Sequence, residues 1–140
     1  MHENFYHNVK VYYEDTDAGG VVYYANYLKY LERARTEALA TIGLSNLQIK
    51  KKFGALIIVK SCNIEYKKSA HLENQLVVRS FVKSVTKTSF FMSQFITKDD
   101  ALIVEAQVHL VFVIEKGKPV KVPDIIFNNF KPYFCDSIKL

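Results

Sequence analysis

The feature that most constrains the fold is a long stretch of β-branched and aromatic residues in the second half of the chain. Short polar links divide it into four segments that predict β-strands, namely Leu56–Tyr66, Gln75–Val85, Thr88–Thr97 and Leu102–Ile114. The links contain "KSAHLEN", "TK" and "KDDA", and short links favour antiparallel neighbours. The sequence therefore predicts an antiparallel sheet.

The last predicted strand shows a clear two-residue period. Alternation places successive side chains on opposite faces of a sheet. One set is Leu102, Val104, Ala106, Val108, Leu110 and Phe112, and the other is Ile103, Glu105, Gln107 and His109. The two sets are therefore expected on opposite faces.

The first half of the chain changes from a strand pattern to a helix pattern. Residues Phe5 to Tyr13 alternate, which predicts a strand with Tyr13 on the same face as Val9. Between Asn26 and Ile42 apolar residues recur at steps of three and four, and Gly43 follows as a natural stop. This pattern predicts a helix of about 17 residues, roughly 25 Å long.

Two further segments predict short helices, Ser45–Phe53 and Asp124–Phe130. One long helix with about five long antiparallel strands indicates the α+β class, with a curved sheet wrapped around a central helix. The sequence has no repeat and no interdomain linker, so we expect one domain over residues 1–140. Bare sheet edges invite pairing, and self-association through an edge or an uncovered face is expected.

Composition narrows the function classes. The net charge is +5, mostly from Lys, which suits anionic partners as well as plain solubility. No nucleic-acid-binding signature, apolar run of membrane-spanning length or signal-peptide pattern is present, so we expect a cytoplasmic protein without nucleic-acid partners. The two cysteines and four histidines show no metal-ligand spacing, and we expect no metal site and two reduced thiols.

An acidic turn precedes the long helix in an otherwise basic chain. Asp15 and Asp17 stand just before Gly19 and Gly20. Turn formation explains such aspartates adequately. Backbone amides at a helix start carry partial positive charge, and glycine lets a ligand approach the main chain. The same segment therefore suits a carbonyl oxygen that gains negative charge during a reaction.

The stretch "YYEDTDAGGVVYYANYLKYLERARTE", from Tyr12 to Glu37, closely resembles the signature of hotdog-fold acyl-CoA thioesterases. The resemblance is to the Tol–Pal-associated YbgC type, relatives of the 4-hydroxybenzoyl-CoA thioesterases. A looser match continues through "IVKSCNIEYKKSAHLENQLVV" and covers most of the chain. It implies a hotdog fold, hydrolysis of acyl-CoA to a carboxylic acid and free coenzyme A, and no separate cofactor.

The resemblance also implies site residues. Asp17 matches the catalytic carboxylate, as general base or nucleophile, and Tyr13 matches an active-site tyrosine, although a core aromatic is an equal alternative for it. The family's histidine is replaced by Tyr24 in "GGVVYYA". A phenol donates a hydrogen bond but, with an unperturbed pKa near 10, is a poor proton shuttle. Ser69 and His71 stand where the family usually has Pro and Arg. Asp15 is interpreted as a turn or surface residue.

Further substrate contacts are expected from two places. The helix-start backbone from Val22 to Ala25, together with Gly20, is expected to approach and polarise the thioester. Four residues around the tight turn in "VKSVTKTSF" are candidates to bind coenzyme A phosphates, with a plain polar hairpin turn as the alternative: Ser84, Lys87, Thr88 and Ser89.

The resemblance implies active sites built where subunits meet, hence a dimer or a dimer of dimers (a homotetramer) acting in lipid metabolism. Acyl carrier protein is a further partner that it allows. Two rival functions remain open from the sequence. One is a related hotdog dehydratase or a thioesterase that acts on acyl carrier protein. The other is a module that binds acyl-CoA or acyl carrier protein without hydrolysing it. The replacement of the family's histidine by Tyr24 favours this alternative to some extent.

Overall fold

A computed structural model describes residues 4–135. Five strands form one antiparallel sheet in the order β1-β3-β4-β5-β2. The strands are β1 (Phe5–Lys10), β2 (Ala55–Tyr66), β3 (Gln75–Val85), β4 (Ser89–Lys98) and β5 (Ala101–Ile114). The helices are α1 (Asn26–Thr41), α2 (Asn46–Phe53) and α3 (Asp124–Phe130), with 3-10 turns at Tyr13–Asp15 and Lys131–Tyr133.

The long helix α1 packs on one face of the sheet, against β1 and β3. Its buried stripe follows the three- and four-residue period of the sequence and comprises Tyr27, Tyr30, Leu31, Ala34, Ala38 and Leu39. This α+β arrangement of one antiparallel sheet and a long helix on one of its faces is the expected hotdog fold, which is confirmed. None of the helices in residues 4–135 has the length and apolar character needed to cross a membrane.

The predicted elements agree closely with the observed ones. The bounds of β3 and α3 are those predicted; β2 and β5 each begin one residue earlier than predicted, and β4 is shifted by one residue at both ends. The short helix α2 begins after Ser45, whose hydroxyl accepts the N–H of Gln48, and it ends at Gly54 in a left-handed conformation (φ 63°). The prediction of one domain over 1–140 includes both chain ends, which lie outside the described residues.

The predicted face of Leu102 is wrong because of a bulge in β5. Ile96 pairs with Val104 and Thr97 pairs with Leu102, which leaves Ile103 as an extra residue. Ile103 is buried in the main core beside Val104, whereas Leu102 packs on a small separate cluster that includes Cys135. Beyond the bulge the predicted alternation holds.

The predicted first strand is also too long. The N–H of Tyr12 donates to Oδ2 of Asp15 at 2.9 Å, and the chain turns away from the sheet there. Tyr13 is consequently 82% exposed in the 3-10 turn, so its expected place beside Val9 is wrong.

The edge strand β2 is only partly covered. Three of its side chains on the face that α1 covers are exposed, although they pair directly with core residues of β5: Val59, Cys62 and Tyr66. Within residues 4–135 no strand pairs with the outer edge of β2. An exposed apolar edge of this length favours association with another chain.

Candidate active site

Asp17 lies at the start of a tight turn between β1 and α1. Its N–H donates to the carbonyl of Val21 at 2.9 Å, and its own carbonyl accepts the N–H of Gly20 at 3.0 Å. Gly20 has a φ of 77°, which glycine adopts without steric cost. A bridge between Thr16 and Val22 extends this small hairpin. The turn therefore fixes the backbone of Asp17.

One oxygen of the Asp17 carboxylate accepts a hydrogen bond within residues 4–135, and the other accepts none. Oδ1 accepts the N–H of Gly19 at 2.9 Å, so Asp17 does serve as a turn residue. A side-chain Cβ at Gly19 would lie 3.3 Å from Oδ1, so glycine leaves room for this contact. Within residues 4–135, Oδ2 makes no hydrogen bond. The structural and the catalytic interpretation of Asp17 are thus compatible.

Asp15 was interpreted as a turn or surface residue, and it lies in the turn but not on the surface. It is only 7% exposed, and its Oδ2 caps the N–H of Tyr12. Its carbonyl accepts the N–H of Tyr23 and the side-chain amide of Asn26, each at 2.9 Å. Burial and the neighbouring Asp15 carboxylate raise the pKa of Tyr30. Asp15 is a buried turn residue that holds the start of α1 against the turn.

Asp17 opens onto a cleft of about 390 Å³ between the start of α1 and the loop after β2. Four tyrosines line the cleft, Tyr23, Tyr24, Tyr27 and Tyr66, and so do Lys67, Lys68 and Ser69. Tyr66, Lys68 and Ser69 were not predicted as site residues. Their signals in the sequence are their place at or just after the end of a predicted strand and the looser family match that runs through them.

Tyr24 lines the same cleft as Asp17 and is 60% exposed. Its ring centroid lies 5.0 Å from that of Tyr23 and 6.0 Å, edge to face, from that of Tyr66. Within residues 4–135 its hydroxyl has no hydrogen-bond partner. The phenol is held by its neighbouring rings and is free to bond to a ligand.

Tyr27 forms the inner wall of the cleft. Its hydroxyl oxygen accepts the N–H of Ala70 at 3.0 Å. Burial raises the pKa of Tyr27, against a smaller opposite effect of the Ala70 hydrogen bond, and burial also raises the pKa of Tyr66. Both phenols are therefore neutral at physiological pH and act as apolar and hydrogen-bonding surface.

Of the backbone N–H groups at the start of α1, some donate hydrogen bonds within residues 4–135 and others do not. The N–H of Val22 donates to Ala70 at 2.8 Å and that of Tyr23 to Asp15 at 2.9 Å, so the expectation of a free Val22 amide is wrong. Within residues 4–135 the N–H groups of Tyr24 and Ala25 make no hydrogen bond, and no side chain caps the helix. These two amides form the positive end of α1.

Tyr13 is not brought into the cleft with Asp17. Its side chain is exposed, and its carbonyl accepts both the N–H and the hydroxyl of Thr16. Within one chain Tyr13 therefore has a backbone role in the turn. Its predicted catalytic role stays a prediction.

The predicted phosphate ligands lie at the far end of β3. The Asp17 turn bonds to residues 70–72, just before the start of this 11-residue strand at Gln75, and the β3–β4 turn follows its other end, roughly 30 Å away. Ser89 is buried, and its hydroxyl lies 2.6 Å from that of Thr86, so it is not available to a ligand. Ser84, Lys87 and Thr88 do not approach Asp17 within one chain.

Comparison with known proteins gives the family. Residues 11–130 match the family model of the thioesterase-like superfamily. The chain belongs to this superfamily. The matched range includes Asp17, Tyr24 and the loop that carries Lys68.

Three similar proteins illustrate the relationship. The acyl-CoA thioesterase YbgC of Haemophilus influenzae is 38% identical over 116 residues, which cover 82% of this chain and 85% of that protein. The acyl-CoA thioester hydrolase YbgC of Escherichia coli O157:H7 is 38% identical over 125 residues, 88% and 92% of the two chains. The crystal structure of a probable thioesterase from Bartonella henselae has a TM-score of 0.84 at 30% identity, covering 86% and 100%.

Proposed function

We propose that the protein hydrolyses the thioester of acyl-CoA and releases a carboxylic acid and free coenzyme A. Membership of the thioesterase-like superfamily and the names of the YbgC relatives support this proposal. The observation that carries it is that Asp17, which has a carboxylate oxygen without a hydrogen bond, and Tyr24, which has a free backbone N–H, line one cleft.

The proposed chemistry uses both features. The thioester oxygen points at the N–H groups of Tyr24 and Ala25, which stabilise the negative charge that develops on it. Oδ2 of Asp17 then acts in one of two ways. As a base it takes a proton from water while the water oxygen attacks the carbonyl carbon. As a nucleophile it attacks that carbon itself, and water cleaves the resulting anhydride. In both routes the C–S bond breaks, and the leaving thiolate takes up a proton that the attacking water has lost.

The two routes differ in where the water oxygen goes. A single turnover in ¹⁸O-labelled water transfers the label to the released acid alone when Asp17 is a base. The nucleophile route allows attack on the Asp17 carbonyl of the anhydride, which leaves the label in the protein. Mass spectrometry of the peptide that contains Asp17 separates the two.

We further propose a dimer joined through the β2 edges. The exposed apolar side chains and the unpaired edge of β2 support it. In such a dimer the two β2 strands pair antiparallel about a two-fold axis normal to the sheet, so the strands of the second copy run in the opposite direction. The β3–β4 hairpin of the second copy therefore lies at the same end of the combined sheet as the Asp17 of this chain. In such a dimer Ser84, Lys87 and Thr88 of each chain serve the cleft of the other as phosphate ligands.

The test of the proposed function is thiol release. The purified protein is incubated with acyl-CoAs of several chain lengths, and free thiol is trapped with a chromogenic disulfide. We expect release that depends on protein concentration for at least one chain length. Tight binding of acyl-CoA without thiol release would instead support the binding module. Preferred release from acyl carrier protein would assign the enzyme to that substrate.

A further inference from the structure

The loop between β2 and β3 is fixed beside the cleft. The N–H groups of Lys67 and Lys68 both donate to the carbonyl of Ile103, at 2.8 and 3.2 Å. Two residues further on, Ala70 is bonded to α1 and to the Asp17 turn. The backbone on both sides of Ser69 is therefore pinned, and the loop presents its side chains to the cleft in a defined place.

The two lysines of this loop differ in their partners. The ammonium of Lys67 pairs with the Glu65 carboxylate at 2.6 Å. Within residues 4–135, Lys68 has no anionic partner, and neither the N–H nor the hydroxyl of Ser69 has a hydrogen-bond acceptor. The ammonium of Lys68 and the two donors of Ser69, its N–H and its hydroxyl, therefore have no partner within residues 4–135. Both residues line the same cleft as Asp17.

Hydrogen-bond donors without a protein partner beside a cation suit an anionic ligand, and a lysine ammonium binds phosphate as a point charge. In a pantetheine thioester the arm separates the reacting carbonyl from the first phosphate. When the carbonyl is at Asp17, the arm leads this phosphate out toward the mouth of the cleft, and Lys68 is an exposed residue of the cleft wall. An arm between them passes Ser69.

We propose that Lys68 binds the phosphate at the end of the pantetheine arm and that Ser69 donates to the arm itself. This rests on the proposed thioesterase function and names the part of the substrate that the β2–β3 loop recognises. The same phosphate occurs in coenzyme A and in the prosthetic group of acyl carrier protein. The experiment therefore compares both sources.

The test uses one acyl group on four carriers: pantetheine, phosphopantetheine, coenzyme A and acyl carrier protein. For the three phosphorylated carriers we expect Lys68→Ala to raise KM about tenfold with kcat nearly unchanged, since a hydrogen bond to a charged group is lost. Hydrolysis of acyl-pantetheine should be the same as in the unmodified protein. Lys68→Arg should restore most of the lost affinity, and Lys51→Ala, an exposed lysine on α2, should change nothing.

Three results would overturn the assignment. Equal kinetics of Lys68→Ala and the unmodified protein on all carriers would exclude phosphate recognition by Lys68. A loss that includes acyl-pantetheine would mean a structural role. A loss confined to coenzyme A would place Lys68 at the nucleotide instead.

If the unmodified protein hydrolyses none of the carriers, the proposed function itself fails. Titration calorimetry with unacylated phosphopantetheine and pantetheine still tests Lys68 in that case. Tighter binding of the phosphorylated form that Lys68→Ala weakens about tenfold supports the site, and equal binding of the two forms overturns it.

Discussion

The hydroxyl oxygen of Tyr27 accepts a 3.0 Å hydrogen bond from the backbone N–H of Ala70, and this bond joins α1 to the β2–β3 loop at the cleft. Ala70 is fully buried, so no water replaces this acceptor. One side of the cleft is lined by Tyr24, just before α1, and the other by Lys68. The bond therefore holds the two sides of the candidate active site at a fixed separation.

Tyr27→Phe should destabilise the protein because it leaves a buried N–H without an acceptor. We expect the free energy of unfolding to fall by about 1–3 kcal/mol, measured with urea at pH 7. Tyr24→Phe is the matched control, since its hydroxyl has no partner within residues 4–135. It should change the free energy by less than about 0.5 kcal/mol.

Tyr27→Phe should also change how the free energy of unfolding depends on pH above about pH 10. Burial raises the pKa of Tyr27 above its ordinary value of 10.0, so the folded state keeps the phenol proton that the unfolded chain loses. The contribution is complete below pH 10 and is lost as pH rises further. The loss of stability above pH 10 should be shallower in Tyr27→Phe. Parallel curves for the two proteins would contradict this cause.

Substitution of the two aspartates of the turn should have different effects: Asp15→Ala should mainly lower stability, and Asp17→Ala should mainly lower activity. Asp15→Ala removes the buried acceptor of the Tyr12 N–H and should lower the free energy of unfolding by about 1–3 kcal/mol. Asp17→Ala removes an exposed turn contact and should cost about 1 kcal/mol or less, yet abolish turnover. Chemical denaturation and thiol release on both variants check this. The opposite assignment, with Asp15→Ala stable but inactive, would refute it.

Much of the fold could be predicted because its signals are local. β3 and α3 have the predicted bounds, since strand and helix periods and flanking turn residues mark them in the sequence. The errors arise from contacts between distant segments. The face of Leu102 is set by a bulge in the pairing of β4 with β5.

The site was predicted less completely for the same physical reason. Asp17 and Tyr24 do share a cleft. The amide of Val22 is used by Ala70, 48 residues later, and Lys68 reaches the cleft only because the sheet brings its loop there. No local pattern in the sequence contains these contacts.

Tyr24→Phe should reduce kcat/KM modestly, on the order of tenfold, because one neutral hydrogen bond to the substrate is lost. Tyr24→His should keep or raise activity and introduce a titration near pH 6–7, the usual range of histidine. Both predictions are checked by measuring kcat/KM of each variant as a function of pH with one acyl-CoA. A loss near a thousandfold in Tyr24→Phe would mean that the phenol does essential chemistry. A folded but inactive Tyr24→His would mean that the cleft is built around the phenol.

Val59→Lys should disrupt the proposed dimer, because Val59 is 47% exposed on the edge strand and a new charge there would be buried by the second copy. Sedimentation should show a dimer or larger species for the unmodified protein and a ~16 kDa species for the variant. Leu47→Lys, an exposed position on α2, is the control and should leave association unchanged. A 16.1 kDa monomer for the unmodified protein at micromolar concentration would contradict the proposed assembly.

The measurement that tests the central claim most directly is thiol release from acyl-CoA by the unmodified protein and by Asp17→Asn. The substitution keeps the size of the side chain and removes the charge that a base or a nucleophile needs. We predict thiol release by the unmodified protein and none above background by Asp17→Asn, with circular dichroism and unfolding curves nearly unchanged. Release by the folded Asp17→Asn variant at a rate close to that of the unmodified protein would contradict the account.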